Sequence, residues 1–290
     1  MRFVTFRKKD ENQVLSGIEI NNRYFSFIDF RLPYRNINEF ILYATSSDYE
    51  SFKYPKGDGL QEDSISLLAP IQEPLQDIIC LGINYLDHAE ESARFKQEKF
   101  EKREYAVYFS KRVNEASGAY SDIPVHADIT QQLDYEVELG VILKTGLYKA
   151  TLKEAKEAIF GYTIINELSA RDLQLRHKQW YFGKSLEGCC VMGPCIVSAD
   201  EFGGEIPNLQ IQSFVNGELR QNSQTANMIF DIPSVLVELS SGMRLKAGTI
   251  LSTGTPKGVG MGFEPPLFLK AGDCVECYIE QIGRTCNRLI

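Results

Sequence analysis

The sequence predicts an α+β protein dominated by β-strands, with a small N-terminal α+β unit on a larger β-rich core. Two observations carry this. Short runs rich in Val, Ile, Tyr and Phe recur along the chain, punctuated by Gly, Pro, Asn and Asp. Only a few segments show the i, i+3, i+4 apolar spacing of an amphipathic helix.

The elements follow in order. "RFVTFR", "VLSGIEI" and "RYFSFID" read as strands and "NINEFILYA" as a helix. A polar loop at "KYPKGDGLQEDS" and the run "ISLLAPIQEP" lead to Pro70 and Pro74, which place a boundary between units 1–72 and 73–290. Beyond it, strands are expected in "DIICLGIN", "YAVYFSK", "YEVELGVIL", "IFGYTIINE", "CCVMGPCIVS", "LQIQSFVNGE", "TILSTG" and "CVECYIE". Helices are expected in "TLKEAKEAI" and "IPSVLVELSSGM"; the latter spaces Ile232, Val235, Leu236 and Leu239 along one face. Many strands with few helices indicate a sandwich or barrel core. The charged run "EESARFKQEKFEKREY" reads as a solvated helix or mobile flap.

At 290 residues, 43% hydrophobic and 24% charged, the chain can bury a substantial core. A formal charge of −8 argues against nucleic acid or anionic membrane as a partner. No apolar run approaches the roughly 18 residues of a membrane span. "MRFVTFRKKDENQ" lacks the apolar stretch of a signal peptide, so a cytoplasmic protein is expected. The odd number of cysteines, seven, then suggests free thiols. Cys274 and Cys277 form a C-x-x-C, but in a strand positions three apart face opposite ways, so packing is expected rather than a metal knuckle.

One strand raises a question of chemistry. In "LDYEVELGV", Val137, Leu139 and Val141 share one face, while Glu136, Glu138 and Gly140 share the other. The two carboxylates then lie about 7 Å apart along the strand. Burying them without compensation is costly, so they face water, a cation, or a group that binds a cation. A half-exposed strand with a polar outer face is one answer, and a metal site is the other. All-oxygen ligands suit a hard cation, and His88, His126 and His177 are too scattered for an obvious zinc site. His88 and Glu91 fall on one face of a short helix; a solvated polar face is the commoner meaning of such a pair, and a carboxylate that orients an imidazole and raises its basicity is the other.

Six fragments in order, "GINYLDHAEE", "LDYEVELGV", "GYTIINELSARDLQLRHKQW", "GKSLEG", "VNGELRQ" with "MIFDIPSVL", and "STGTPKGVG", resemble the fumarylacetoacetate hydrolase family. They resemble its bacterial branch acting on 2-oxo acids, over about residues 76–290. The resemblance implies a mixed β-sandwich or barrel core, a homodimer, and one Mg²⁺ or Mn²⁺ held by Glu136, Glu138 and Glu167. The third ligand departs from the family, whose residue there is aspartate. Mg²⁺ tolerates little deviation from octahedral geometry at about 2.0–2.1 Å, so the longer side chain puts the site in question. The resemblance further implies a His88–Glu91 dyad on a lid, Arg171, Gln174 and Lys184 around a small 2-oxo acid, and Thr255 reaching its carboxylate. Lys184 counts with the dyad as catalytic, and Asp172 reads as structural.

The activity implied is cleavage of a carbon–carbon bond beside a carbonyl. The first expectation is decarboxylation of an oxaloacetate-type diacid through an enolate that the metal stabilises. Hydrolysis of an acylpyruvate by water activated at His88 is the alternative, and isomerisation also occurs in the family. A reading of a different class is a 2-oxo-acid binder that Glu167 has deprived of metal and activity.

Overall fold

The computed structural model describes the chain except for Asp10, Lys96, Glu98 and residues 100–103. The N-terminal part opens with an antiparallel meander of β1 (Arg2–Lys8), β2 (Val14–Ile20) and β3 (Arg23–Ser26). Asn21 and Asn22 both adopt positive φ between β2 and β3. Asparagine tolerates that conformation, which matches the hairpin turn to the twist of its strands. Two short helices follow, α1 (Ile37–Tyr43) and α2 (Ser46–Ser51). Asn36 caps α1 by accepting from the Glu39 amide, which explains why the helix begins there. β4 (Ile65–Leu68) then returns to pair with β1.

The sheet does not stop at residue 72. β5 (Ile78–Gly82), α3 (Leu86–Phe95), β6 (Val107–Lys111), β7 (Leu133–Asp134), β8 (Val137–Leu143), α4 (Leu152–Glu157) and β9 (Ile159–Glu167) come next. They are followed by β10 (Ser169–Ala170), α5 (Arg171–Arg176), α6 (Tyr181–Lys184) and β11 (Cys190–Ser198). The chain ends with β12 (Gln210–Val215), β13 (Glu218–Gln224), α7 (Ile232–Gly242), β14 (Ile250–Ser252), β15 (Cys274–Ile279) and β16 (Gly283–Arg288). The large sheet has ten strands in the order β3-β2-β1-β11-β9-β8-β14-β5-β6, with β4 beside β1. Strands from both sides of residue 72 therefore share one hydrogen-bonded sheet, joined where Phe3 pairs with Ile196.

A second sheet, β13-β12-β15-β16, packs on the large one, and β8 and β9 are buried on both faces. Val137, Leu139 and Val141 enter the core that also holds Ile211, Val275 and Ile279 of the second sheet. Ile142 and Ile165 enter the other core, which continues to Phe3, Phe40 and Phe160. The β-rich α+β architecture agrees with the sequence reading. "LQIQSFVNGE" does not: the chain turns at Asn216–Gly217, both at positive φ, and β13 returns beside β12. Short helices α5 and α6 occupy a stretch for which the sequence showed no helical period. Among the described residues, no helix is long and apolar enough to cross a membrane.

Phe40 is fully buried, with its ring centroid 5.1 Å from those of Phe3 and Phe27 and 6.4 Å from that of Phe160 on β9. Its packing joins α1 to the central sheet. Phe40→Ala is expected to destabilise the protein by about 3–5 kcal/mol, read from the denaturant midpoint in urea.

Candidate active site

Alternation along β8 sends Glu138 and the preceding Glu136 to one face, and antiparallel pairing places the end of β9 beside them. The Glu167 amide donates to the Glu136 carbonyl at 2.8 Å, so the third acid stands next to the first. One oxygen from each of Glu136, Glu138 and Glu167 lies within 4.8 Å of the others. All three are almost fully buried, which removes the reading of a half-exposed polar face.

Buried cations compensate part of this charge. Arg171, at the start of α5, reaches Asp134 at 2.9 Å and Glu136 at 2.6 Å. Lys184, at the end of α6, donates to Glu136 and Glu167, each at 2.8 Å. Burial raises the proton affinity of Glu136, yet Lys184 and Arg171 outweigh it and hold the carboxyl far below the usual range. Glu138 goes the opposite way. It accepts from the Ser252 hydroxyl and the Gly254 amide but makes no ion pair among the described residues. Burial, then the charges of Glu167 and Glu136, push its carboxyl well above the ordinary value. Burial also raises Glu167, against the opposing pull of Lys184 and Lys111.

The His88–Glu91 pair forms as expected on α3, with Nδ1 3.0 Å from Glu91 Oε2. Glu91 Oε1 accepts from the Gly258 amide at 3.0 Å. A Cβ at Gly262 would lie only 1.9 Å from that oxygen, so glycine is what lets the loop close over the carboxylate. The later part of the expected flap, at Lys96, Glu98 and 100–103, lies outside the described residues. His88, Glu136, Glu138, Arg171, Gln174, Lys184 and Thr255 line one pocket. Glu91 stands behind His88, and Glu167 behind Lys184. Phe95, Phe109, Leu175, Trp180 and Met261 form the apolar wall.

Two of the residues expected around the substrate carry contacts within the protein. Thr255 lines the pocket, but its hydroxyl donates to the Val137 carbonyl and accepts from Gln221, so its proton is already committed. Gln174 accepts from Arg171 Nη1 at 3.2 Å and holds that guanidinium. Asp172 accepts from the Thr130 hydroxyl and the Leu173 amide, consistent with a structural part.

Two residues escaped the sequence reading. Asp134 is fully buried and accepts from the Gly260 and Met261 amides as well as from Arg171. It continues the alternation of Glu136 and Glu138, so the signal was present. Lys111 is also fully buried, 3.8 Å from Glu167, and its strand carries nothing that marks it.

The C-x-x-C divides as expected, with Cys277 buried and Cys274 half-exposed, 3.1 Å in sulfur–sulfur distance from Cys286. Among the described residues, only Glu136, Glu138 and Glu167 group as metal-ligating side chains.

Comparison with known proteins gives this arrangement its family. A model of the fumarylacetoacetate (FAA) hydrolase C-terminal domain matches residues 77–290. The chain belongs to the fumarylacetoacetate hydrolase family. It is 42% identical over 225 residues to "Oxaloacetate tautomerase YisK" of Bacillus subtilis, covering 78% of this chain and 73% of that protein. A fumarylacetoacetate hydrolase from Exiguobacterium antarcticum shares 36% identity at a TM-score of 0.84, over 100% of this chain and 99% of its own. A 2-hydroxyhepta-2,4-diene-1,7-dioate isomerase from Mycobacterium marinum shares 25% at a TM-score of 0.71, over 100% and 98%. The fumarylacetoacetate hydrolase family is thus one of enzymes, with hydrolase, isomerase and tautomerase relatives.

The residues present fit a divalent cation. Three buried carboxylates converge, Glu167 Oε1 has no hydrogen-bond donor, and Glu138 lacks a cationic partner among the described residues. The extra methylene of Glu167 leaves its carboxylate inside the cluster.

Because burial and the neighbouring acids raise the proton affinity of Glu138, binding of Mn²⁺ should compete with a proton there. Only the ionised form is a ligand, so affinity should rise with pH until the raised pKa is passed. Calorimetry in buffers of different ionisation enthalpy measures the released proton directly. Glu138→Gln should abolish the release and weaken binding at least about tenfold.

Proposed function

We propose that the protein is a divalent-cation-dependent enzyme that moves a proton at the carbon beside the keto group of a small 2-oxo diacid. The reaction would interconvert the keto and enol forms of an oxaloacetate-type substrate. The observation that carries this reading is the buried His88–Glu91 dyad opening on the same pocket as the carboxylate cluster. The 42% identity to an oxaloacetate tautomerase supports the choice of substrate.

Glu136, Glu138 and Glu167 would hold the cation, which supplies Lewis-acid polarisation of the 2-oxo group and neutralises the charge that develops there. The protein's own groups divide the remaining work. Arg171 Nη2 is buried without a partner while Nε and Nη1 are fixed by Asp134 and Glu136, so one donor of an oriented guanidinium is left for a substrate carboxylate. Lys184 commits two of its three donors to Glu136 and Glu167 and has one left. Glu91 holds His88 by Nδ1, which leaves Nε2 to take a proton from the substrate carbon. Glu91 then stabilises the imidazolium, and the same proton returns to the enol oxygen. No atom is lost.

Decarboxylation, the first expectation from sequence, ranks below this because loss of CO₂ gives the dyad no task. Hydrolysis of an acylpyruvate is the second reading, since the same dyad suits the activation of water. The inactive binder ranks last, because the carboxylate of Glu167 stays within reach of Glu136 and Glu138. Substrate length is set by the wall. Trp180 lies so close to Gly82 that a Cβ there would come within 2.2 Å of the indole, and Phe109 packs against that ring at 5.1 Å.

The test follows the enol absorbance of oxaloacetate with Mg²⁺ or Mn²⁺, with pyruvate release and acylpyruvate cleavage measured in parallel. Accelerated decay of the enol band without pyruvate supports tautomerisation; cleavage of an acylpyruvate at a higher kcat/KM would replace it with hydrolysis. His88→Ala should lower turnover about 10²–10⁴-fold while leaving calorimetric cation affinity nearly unchanged. Trp180→Ala should raise the activity on longer acylpyruvates relative to oxaloacetate.

A further inference from the structure

Lys111 ends β6 and has 1% of its surface exposed, and the proton transfer does not use it. A buried ammonium is costly unless its donors are satisfied. Those of Lys111 go to the Leu168 carbonyl at 3.1 Å and to the Lys184 carbonyl. The nitrogen also stands 3.8 Å from Glu167 Oε1, a buried oxygen with no hydrogen-bond donor. Leu168 directly follows Glu167, and Lys184 itself holds the other oxygen of Glu167 at 2.8 Å. One ammonium thus fixes the backbone beside both members of that ion pair.

We infer that Lys111 is the positioning residue of the cation centre, setting the orientation of Glu167 as a ligand. The need for it follows from side-chain length. Glutamate has one more rotatable bond than aspartate, so its carboxylate must be restrained to present a defined ligand oxygen. Lys184 at Oε2 and Lys111 facing Oε1 supply restraint at both ends of the carboxylate. Lys111 also keeps the β9–β10 turn and the end of α6 in register, so loss of its charge would loosen two of the groups facing the pocket. The inference rests on Glu167 serving as a cation ligand.

The experiment titrates Mn²⁺ alone into the intact protein and into Lys111→Met, Lys111→Arg, Glu167→Asp and the double variant Lys111→Met/Glu167→Asp, with thermal unfolding in parallel. Lys111→Met should bind Mn²⁺ about 10–100-fold more weakly, as expected when a group supporting a ligand is removed. Lys111→Arg should recover part of the loss. In the Glu167→Asp background the same Met substitution should cost much less, because the shorter acid needs less restraint. A merely structural lysine would give the same penalty in both backgrounds, and that result would overturn the inference. So would a folded Lys111→Met that binds as tightly as the natural protein. Should Lys111→Met fail to fold, Lys111→Gln is read by the same two criteria. Natural protein that binds no Mn²⁺ would overturn both this inference and the functional reading. Tight binding that is indifferent to Lys111 would overturn this inference alone.

Discussion

The structure depends on keeping a dense group of charges out of water at the centre of a sheet. Asp134, Glu136, Glu138 and Glu167 are buried together with Arg171, Lys184 and Lys111. Desolvating any one of them alone costs several kcal/mol, and the cost falls only when each has an opposite charge and hydrogen bonds. The acids outnumber the bases in this group by one. Glu138 is the acid that makes no ion pair among the described residues, and it is the one whose proton affinity burial raises furthest above the ordinary range. One acid of the group is thus left without a cationic partner among the described residues.

The fold can meet this constraint because two different geometries converge on it. Strands deliver carboxylates at a spacing fixed by the pleat, with β8 and β9 locked in antiparallel register. Helices deliver Arg171, Lys184 and the dyad, the end of β6 delivers Lys111, and loops close over them at short range. Glycine allows that approach at two places. Gly260 donates its amide to Asp134, where a Cβ would lie 2.3 Å from the Leu267 carbonyl, and Gly262 leaves room for Glu91. An alanine at either position would displace the loop that closes the site, although it touches no reacting atom. The N-terminal strands bear on the same geometry, since β1 hydrogen-bonds to β11 and β11 pairs with β9.

What the sequence revealed follows the range of the interactions involved. The strand runs were legible because burial on both faces leaves continuous apolar stretches, as in "FGYTIINE" of β9. Glu136 and Glu138 stood out because two acids interrupt such a run at a period of two. The spacing of His88 and Glu91 was legible from one helical turn, but their pairing as a dyad came from the family resemblance and not from the turn itself. The Asn216–Gly217 turn had a clear local signature but was read through as strand, because the run that follows it, "ELRQNSQ", is mostly polar. Lys111 was not legible at all. A lysine at a strand end normally reaches water, and its burial is decided by Leu168 and Lys184, 57 and 73 residues further along the chain.

Glu136 and Glu138 show how far environment outweighs residue type. They stand two residues apart, Glu138 on β8 and Glu136 just before it, yet their proton affinities move in opposite directions. Glu136 lies against Arg171 and Lys184, which favour its anion and are held in place by it. Glu138 lies against a hydroxyl and an amide, which stabilise the anion without neutralising it. Glu167 falls between them, with Lys184 at one oxygen and Lys111 farther from the other. Three chemically similar side chains therefore take three electrostatic positions: one paired with two cations, one without a cationic partner among the described residues, and one held by Lys184 at a single oxygen. A longer third acid is tolerable in this protein because the basic groups that set these differences also limit its freedom.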